Sequence, residues 1–100
     1  MIEVNKSRFP LGKVVATPGA IQALMNAAQL PGELLSRHVA GEWGDLCQED
    51  RQANEDAIAD GSRILSVYVL KTGVKIWVIT EAADENGSRA VTTILLPDEY

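Results

Sequence analysis

The stretch RILSVYVLKTGVKIWVITEAADENGSRAVTTILL, residues 63–96, decides the fold. Arg63 to Leu70 is rich in Ile, Val and Tyr, residue types that suit a pleated, half-buried surface. Thr72-Gly73 is a compact turn signal. Val74 to Glu81 carries the run Lys75-Ile76-Trp77-Val78-Ile79-Thr80. Asp84-Glu85-Asn86-Gly87 holds an Asn-Gly pair, the strongest short hairpin signal. Arg89 to Leu96 follows, and Pro97 stops it. Both connections are too short for a crossover helix, so both pairings are antiparallel. The expectation is a three-stranded antiparallel β-meander over residues 63–97.

Alternation sorts the two faces of that meander. Ile76, Val78 and Thr80 share one side of the middle strand, and Lys75, Trp77 and Ile79 the other. On the last strand Thr92, Ile94 and Leu96 oppose Val91, Thr93 and Leu95. Neither face is cleanly polar. Helices should cover one face, which leaves the second for another layer, a dimer contact or a binding surface.

Upstream, residues 17–60 read as helical. Thr17 can cap a helix and Pro18 suits its first position. Ala20, Ile21, Ala23, Leu24, Ala27 and Ala28 follow with helical spacing, to about Gln29. Pro31 restarts the chain, and Leu34, Leu35, His38 and Val39 fall near one face of a second helix. Gly41 and Gly44 bracket Trp43 in a turn. Asp45 is a candidate cap for a third, acidic helix from Gln48 to Asp60, ended by Gly61 at a C′ position. Lys13-Val14-Val15-Ala16 is a candidate short extra strand, and residues 1–8 are polar and expected to be flexible. The fold class is therefore α+β: a single domain, residues 1–100, with two to three N-terminal helices packed on the meander.

One hundred residues suffice for one core. Hydrophobic residues make up 46% and charged residues 23% of the chain, so it can fold rather than remain disordered. Fourteen acids against nine bases give a net charge of −5. That disfavours direct nucleic-acid binding, which needs basic surface to displace counterions. The apolar runs are far shorter than a membrane span. MIEVNKSRFP has no apolar core of a signal peptide. Cys47 is the one cysteine, so no intrachain disulfide forms. A cytoplasmic protein is the expectation.

Few residues carry candidate chemistry. His38, the sole histidine, is either a general acid or base or a helix-end histidine favoured by the macrodipole. With no CxxC or HxxxH, neither a metal site nor a cofactor is expected. GxxxxGK[ST], GxGxxG, GxSxG and HExxH are also missing, which removes the motif support for nucleotide and hydrolase chemistry. Glu49, Asp50, Glu55 and Asp56 form either a solvated helix face or a docking surface for a basic partner. Trp43 either plugs the core or anchors a partner.

The segments RHVAGEWGDL, RILSVY, KIWVITEA and TTILLPDEY, spread over residues 38–100, resemble a group of small proteins of bacterial plasmids, phages and integrative elements described as plasmid-related. The resemblance implies an accessory protein of a mobile element. At the level of layout, helices followed by a meander resemble the barnase–EndoU–colicin–RelE class of small ribonucleases. That resemblance implies RNA cleavage by a helix-borne histidine with basic and hydroxyl groups on the sheet. The matching residues would be His38, Lys75, Arg89, Thr92 or Thr93, and Tyr100. Thr92 and Thr93 point to opposite faces, so only one can join such a site.

The leading expectation is a non-enzymatic accessory protein that binds a host or defence-related protein, with Trp43, Glu49, Asp50, Glu55 and Asp56 as contacts. The alternatives are a metal-independent ribonuclease or toxin-like enzyme using His38, Arg89 and Thr93, and a structural subunit that homodimerises through the second sheet face.

Overall fold

The computed structural model describes residues 7–100. The element order is β1 (Lys13–Ala16), α1 (Pro18–Asn26), α2 (Pro31–Val39), α3 (Gln48–Asp60), β2 (Ile64–Val69), β3 (Lys75–Thr80) and β4 (Val91–Leu95), closed by a 3₁₀ turn, Pro97–Glu99. The α+β class holds. The two antiparallel pairings form, β2 with β3 and β3 with β4. The sheet as a whole is not a three-stranded antiparallel meander. β1 joins β4 in parallel, giving a four-stranded mixed sheet in the order β1-β4-β3-β2. The physical reason is the outer edge of β4, whose backbone groups need partners. Lys13 N–H donates to the Ala90 carbonyl and Thr17 N–H to the Ile94 carbonyl, both at 3.0 Å.

The helix signals act locally as read, with one exception. Thr17 Oγ1 accepts the Ala20 N–H at 3.1 Å, and Pro18 opens α1. Gly61 ends α3 at φ 86°, donating its N–H to the Ala57 carbonyl. Asp45 does not cap α3; Cys47 holds that position and makes no side-chain bond. Asp45 is held elsewhere, because its N–H donates to the Val67 carbonyl at 2.7 Å. Of residues 1–8, expected to be flexible, 1–6 lie outside the described residues. Arg8 N–H reaches the Val39 carbonyl and its guanidinium pairs with Glu55. Phe9 beside it is buried.

Helices cover one face only. Ile64, Ser66, Tyr68, Ile76, Val78, Thr80, Thr92 and Ile94 all point to that face, and none is more than 1% exposed. Ala20, Leu24, Ala27 and Leu34 pack on Tyr68, Leu70, Ile76, Val78 and Ile94. Phe9, Val39, Trp43 and Ala57 pack on Ile64 in a second cluster.

The free edge of β2 is closed without another strand. Asn54 of α3 reads the Leu65 backbone as a strand would: its Nδ2 donates to the carbonyl at 2.7 Å and its Oδ1 accepts the N–H at 3.1 Å. One step along, Val67 N–H donates to the Trp43 carbonyl at 3.0 Å. Gly44 sits there at φ 80°, where a Cβ would collide with the Val67 carbonyl. Such closure blunts an edge that would otherwise invite pairing with another chain. Asn54→Ala orphans both Leu65 groups and is expected to cost about 1–3 kcal/mol in a urea titration. A loss under about 0.5 kcal/mol would mean that water serves this edge equally well.

Candidate functional site

His38 is 0% exposed and sits in a chain of hydroxyls on the covered sheet face. Its Nδ1 lies 2.6 Å from Ser66 Oγ and its Nε2 lies 2.9 Å from Thr80 Oγ1. Thr80 Oγ1 lies 2.7 Å from Thr92 Oγ1, and Thr92 Oγ1 donates to the Leu11 carbonyl at 2.7 Å. A carbonyl only accepts, so the last bond sets the direction of the chain back to Nε2. Thr92 gives its proton to Leu11 and accepts from Thr80. Thr80 therefore accepts from His38 Nε2–H. Burial disfavours the imidazolium, so the ring is neutral and Nδ1 accepts from Ser66. Phe9 and Trp43 meet the ring edge-on at 5.1 and 6.1 Å between centroids. Burial lowers the His38 pKa to about 4. The neutral, buried ring with both nitrogens engaged ties α2 to β2 and β3.

Arg89 and Thr93 are not brought to it. Arg89 is 5% exposed and donates to three carbonyls. Nη1 reaches Ser62 at 2.7 Å and Glu81 at 3.0 Å, and Nη2 reaches Ala57 at 3.0 Å. It thus places its charge at the C-terminal end of α3, where a cation is favoured. Arg89 also borders a cleft of about 310 Å³ whose other walls include Asp60, Asp84 and Glu85. His38 does not line that cleft, and its carboxylates would repel a phosphate backbone. Thr93 pairs with Val15 and Ile79 on the opposite face of the sheet.

The expected partner contacts divide. Trp43 is 2% exposed and its indole lies in the core. Its Nε1–H donates to Glu55 Oε2 at 3.2 Å. Glu55 also takes both Arg8 nitrogens, at 2.6 and 3.0 Å, and is therefore held within the fold. Those bonds, Arg8 first, hold its carboxyl below the usual range. Glu49, Asp50 and Asp56 remain on the exposed side of α3.

The second sheet face is built from Val15, Val91, Thr93, Leu95, Trp77, Ile79, Leu65, Val67 and Val69. The helical residues of both core clusters pack on the other side. Val67, Ile79 and Leu95 are nonetheless buried. Their cover is side chains. Tyr100 lays its ring against Trp77, 5.7 Å between centroids at 61°. Arg63 lies 5.5 Å from the Tyr100 ring centre and donates to its hydroxyl. Sequence reasoning had no signal for Arg63, whose partner lies 37 positions away. Ser66 and Thr80 were missed too, although hydroxyls interrupting an apolar alternation ask for a buried polar partner.

Among the described residues no group of three or more His, Cys, Asp or Glu side chains is placed to hold a metal ion. No helix there is long and apolar enough to cross a membrane. Comparison with known proteins finds no matching family model, no matching curated sequence and no matching solved structure.

Proposed function

We propose that the chain acts by binding a protein partner, as an accessory protein of a mobile element, rather than by catalysis. One observation carries this reading. The residues best suited to chemistry are held in the fold, His38 through both ring nitrogens and Arg89 through three bonds to backbone carbonyls. What meets solvent instead is surface suited to contact: the acidic side of α3 and an apolar sheet face covered only by side chains. The mobile-element setting is supported by the resemblance over residues 38–100, and a host or defence-related protein is the partner it implies.

Two measurements test the reading together. Tagged protein incubated with host lysate is expected to retain a partner in stoichiometric amount, with retention lost in a folded surface variant of α3 or of the second sheet face. Incubated with RNA, the wild type is expected to leave it intact. RNA cleavage that disappears in a folded His38→Gln variant would overturn the proposal in favour of the ribonuclease alternative.

A further inference from the structure

The geometry points to the second sheet face as a groove for an acidic peptide segment bearing an aromatic side chain, with Tyr100 as the intramolecular occupant that such a segment displaces. This rests on the binding reading above and names the surface and the partner chemistry.

The occupant itself is the first argument. Tyr100 is 67% exposed, yet its ring is set against Trp77 and under the Arg63 guanidinium. Its backbone contributes little, a single N–H bond to the Pro97 carbonyl at 3.4 Å. The turn that aims it is fixed from outside the groove. Glu99 Oε1 accepts from Thr17 Oγ1 at 2.6 Å and from Leu96 N–H at 2.8 Å. The groove therefore already holds an aromatic ring whose hydroxyl takes a hydrogen bond from a cation, supplied by the acidic sequence Pro97-Asp98-Glu99-Tyr100. On the same face as Trp77 lie Val67, Ile79 and Leu95, buried apolar residues that extend the surface the ring rests on.

Charge is the second argument. The strands place Lys13 and Lys75 on this face and Arg63 adds a third cation, against Asp45, which pairs with Lys75 at 3.5 Å, and Glu81, which follows Ile79 on the same side. The chain as a whole carries −5. A partner rimmed with carboxylates meets complementary potential here and like charge over the rest of the surface, which favours this face and steers the approach.

The test uses the full chain and a defined probe: an octapeptide of Asp and Glu around one central Tyr, blocked at both ends. Its binding is read from the Trp77 indole N–H in ¹H–¹⁵N spectra, against an otherwise identical peptide with Lys in place of each acid. The acidic peptide is expected to shift that signal, and Tyr100→Ala, by vacating the groove, to bind it about ten-fold tighter, as removal of an internal competitor requires. Adding Arg63→Ala and Lys13→Ala to Tyr100→Ala is expected to reverse the gain. Equal binding of the Lys peptide, or no tightening in folded Tyr100→Ala, would overturn the proposal. So would a wild-type dimer dissociated by Trp77→Lys, which would make a second copy the occupant. A lysate partner still retained by Trp77→Lys would remove this groove and leave the binding reading standing.

Discussion

Arg89→Ala is expected to cost about 2–5 kcal/mol, the penalty for leaving buried carbonyls without their donor. The carbonyls of Ser62, at the end of α3, and Glu81, just beyond β3, lose this donor, and that of Ala57 is left with the Gly61 N–H alone. The guanidinium, together with the Ala83 N–H bond to the Gly61 carbonyl at 2.7 Å, joins α3 to the β3–β4 connection, and it also lies 5.8 Å from the Phe9 ring centre. Burial lowers its pKa, with Asp60 opposing, and an arginine stays charged regardless. A lysine has three donors on one point and cannot span three acceptors in the same fork, so Arg89→Lys should restore only part of the loss. The readout is the urea midpoint, followed by tryptophan fluorescence since Trp43 packs in the cluster beside α3. Against a total stability of about 5–15 kcal/mol, the alanine variant should sit at the margin of folding. A loss below about 1 kcal/mol would show that water replaces the guanidinium and that the end of α3 is open.

Acidification is expected to destabilise the protein through His38 before any carboxylate contributes. The folded pKa of about 4 lies below the ordinary 6.5. The unfolded chain therefore takes up a proton that the folded chain refuses, and stability falls as the pH drops from 6.5 towards 4. At about 1.4 kcal/mol for each tenfold, the full loss is on the order of 3 kcal/mol. Glu55, Asp60 and Glu99 are also held below their usual values, so their contributions are lost only at lower pH. The window between about pH 6.5 and pH 5 thus reads His38 alone. Replacing it with Gln, which keeps one donor and one acceptor, should flatten stability across that window at a lower overall value. His38→Ala should instead cost about 3 kcal/mol or more at neutral pH, because it leaves a cavity and takes away the ring partner of the Ser66 and Thr80 hydroxyls. An unchanged slope in folded His38→Gln would assign the acid sensitivity to another group.

The antiparallel core of the sheet was legible because its signals are local. Alternation sets the faces, and Thr72-Gly73 and Asn86-Gly87 set the turns. The β1–β4 pairing was not legible, because Lys13 finds Val91 across most of the chain and a parallel register leaves no turn residue to read. Asp45 was misread as a cap for a related reason: a long-range bond to Val67 outcompeted the local one. Of the candidate site, the residue types were visible and their roles were not. His38 on an apolar helix face fits catalysis or burial equally well. The answer lies in Ser66, Thr80 and Thr92, which share the covered face and come from three different strands. Trp43 became a core residue because Glu55 of α3 accepts its indole N–H and lets the ring be buried without an orphaned donor. The question of what covers the second face turned on Tyr100, whose ring reaches Trp77 only through a turn fixed by Thr17 and Glu99.

The central claim is that the one histidine is sealed, neutral and structural, which moves function to the surfaces. Long-range ¹H–¹⁵N spectra of the His38 imidazole test it most directly, recorded in steps from neutral pH to about pH 5. The account predicts a single neutral form throughout, with the proton on Nε2 and Nδ1 bare. An imidazole that titrates near its ordinary 6.5, or carries its proton on Nδ1, would contradict it.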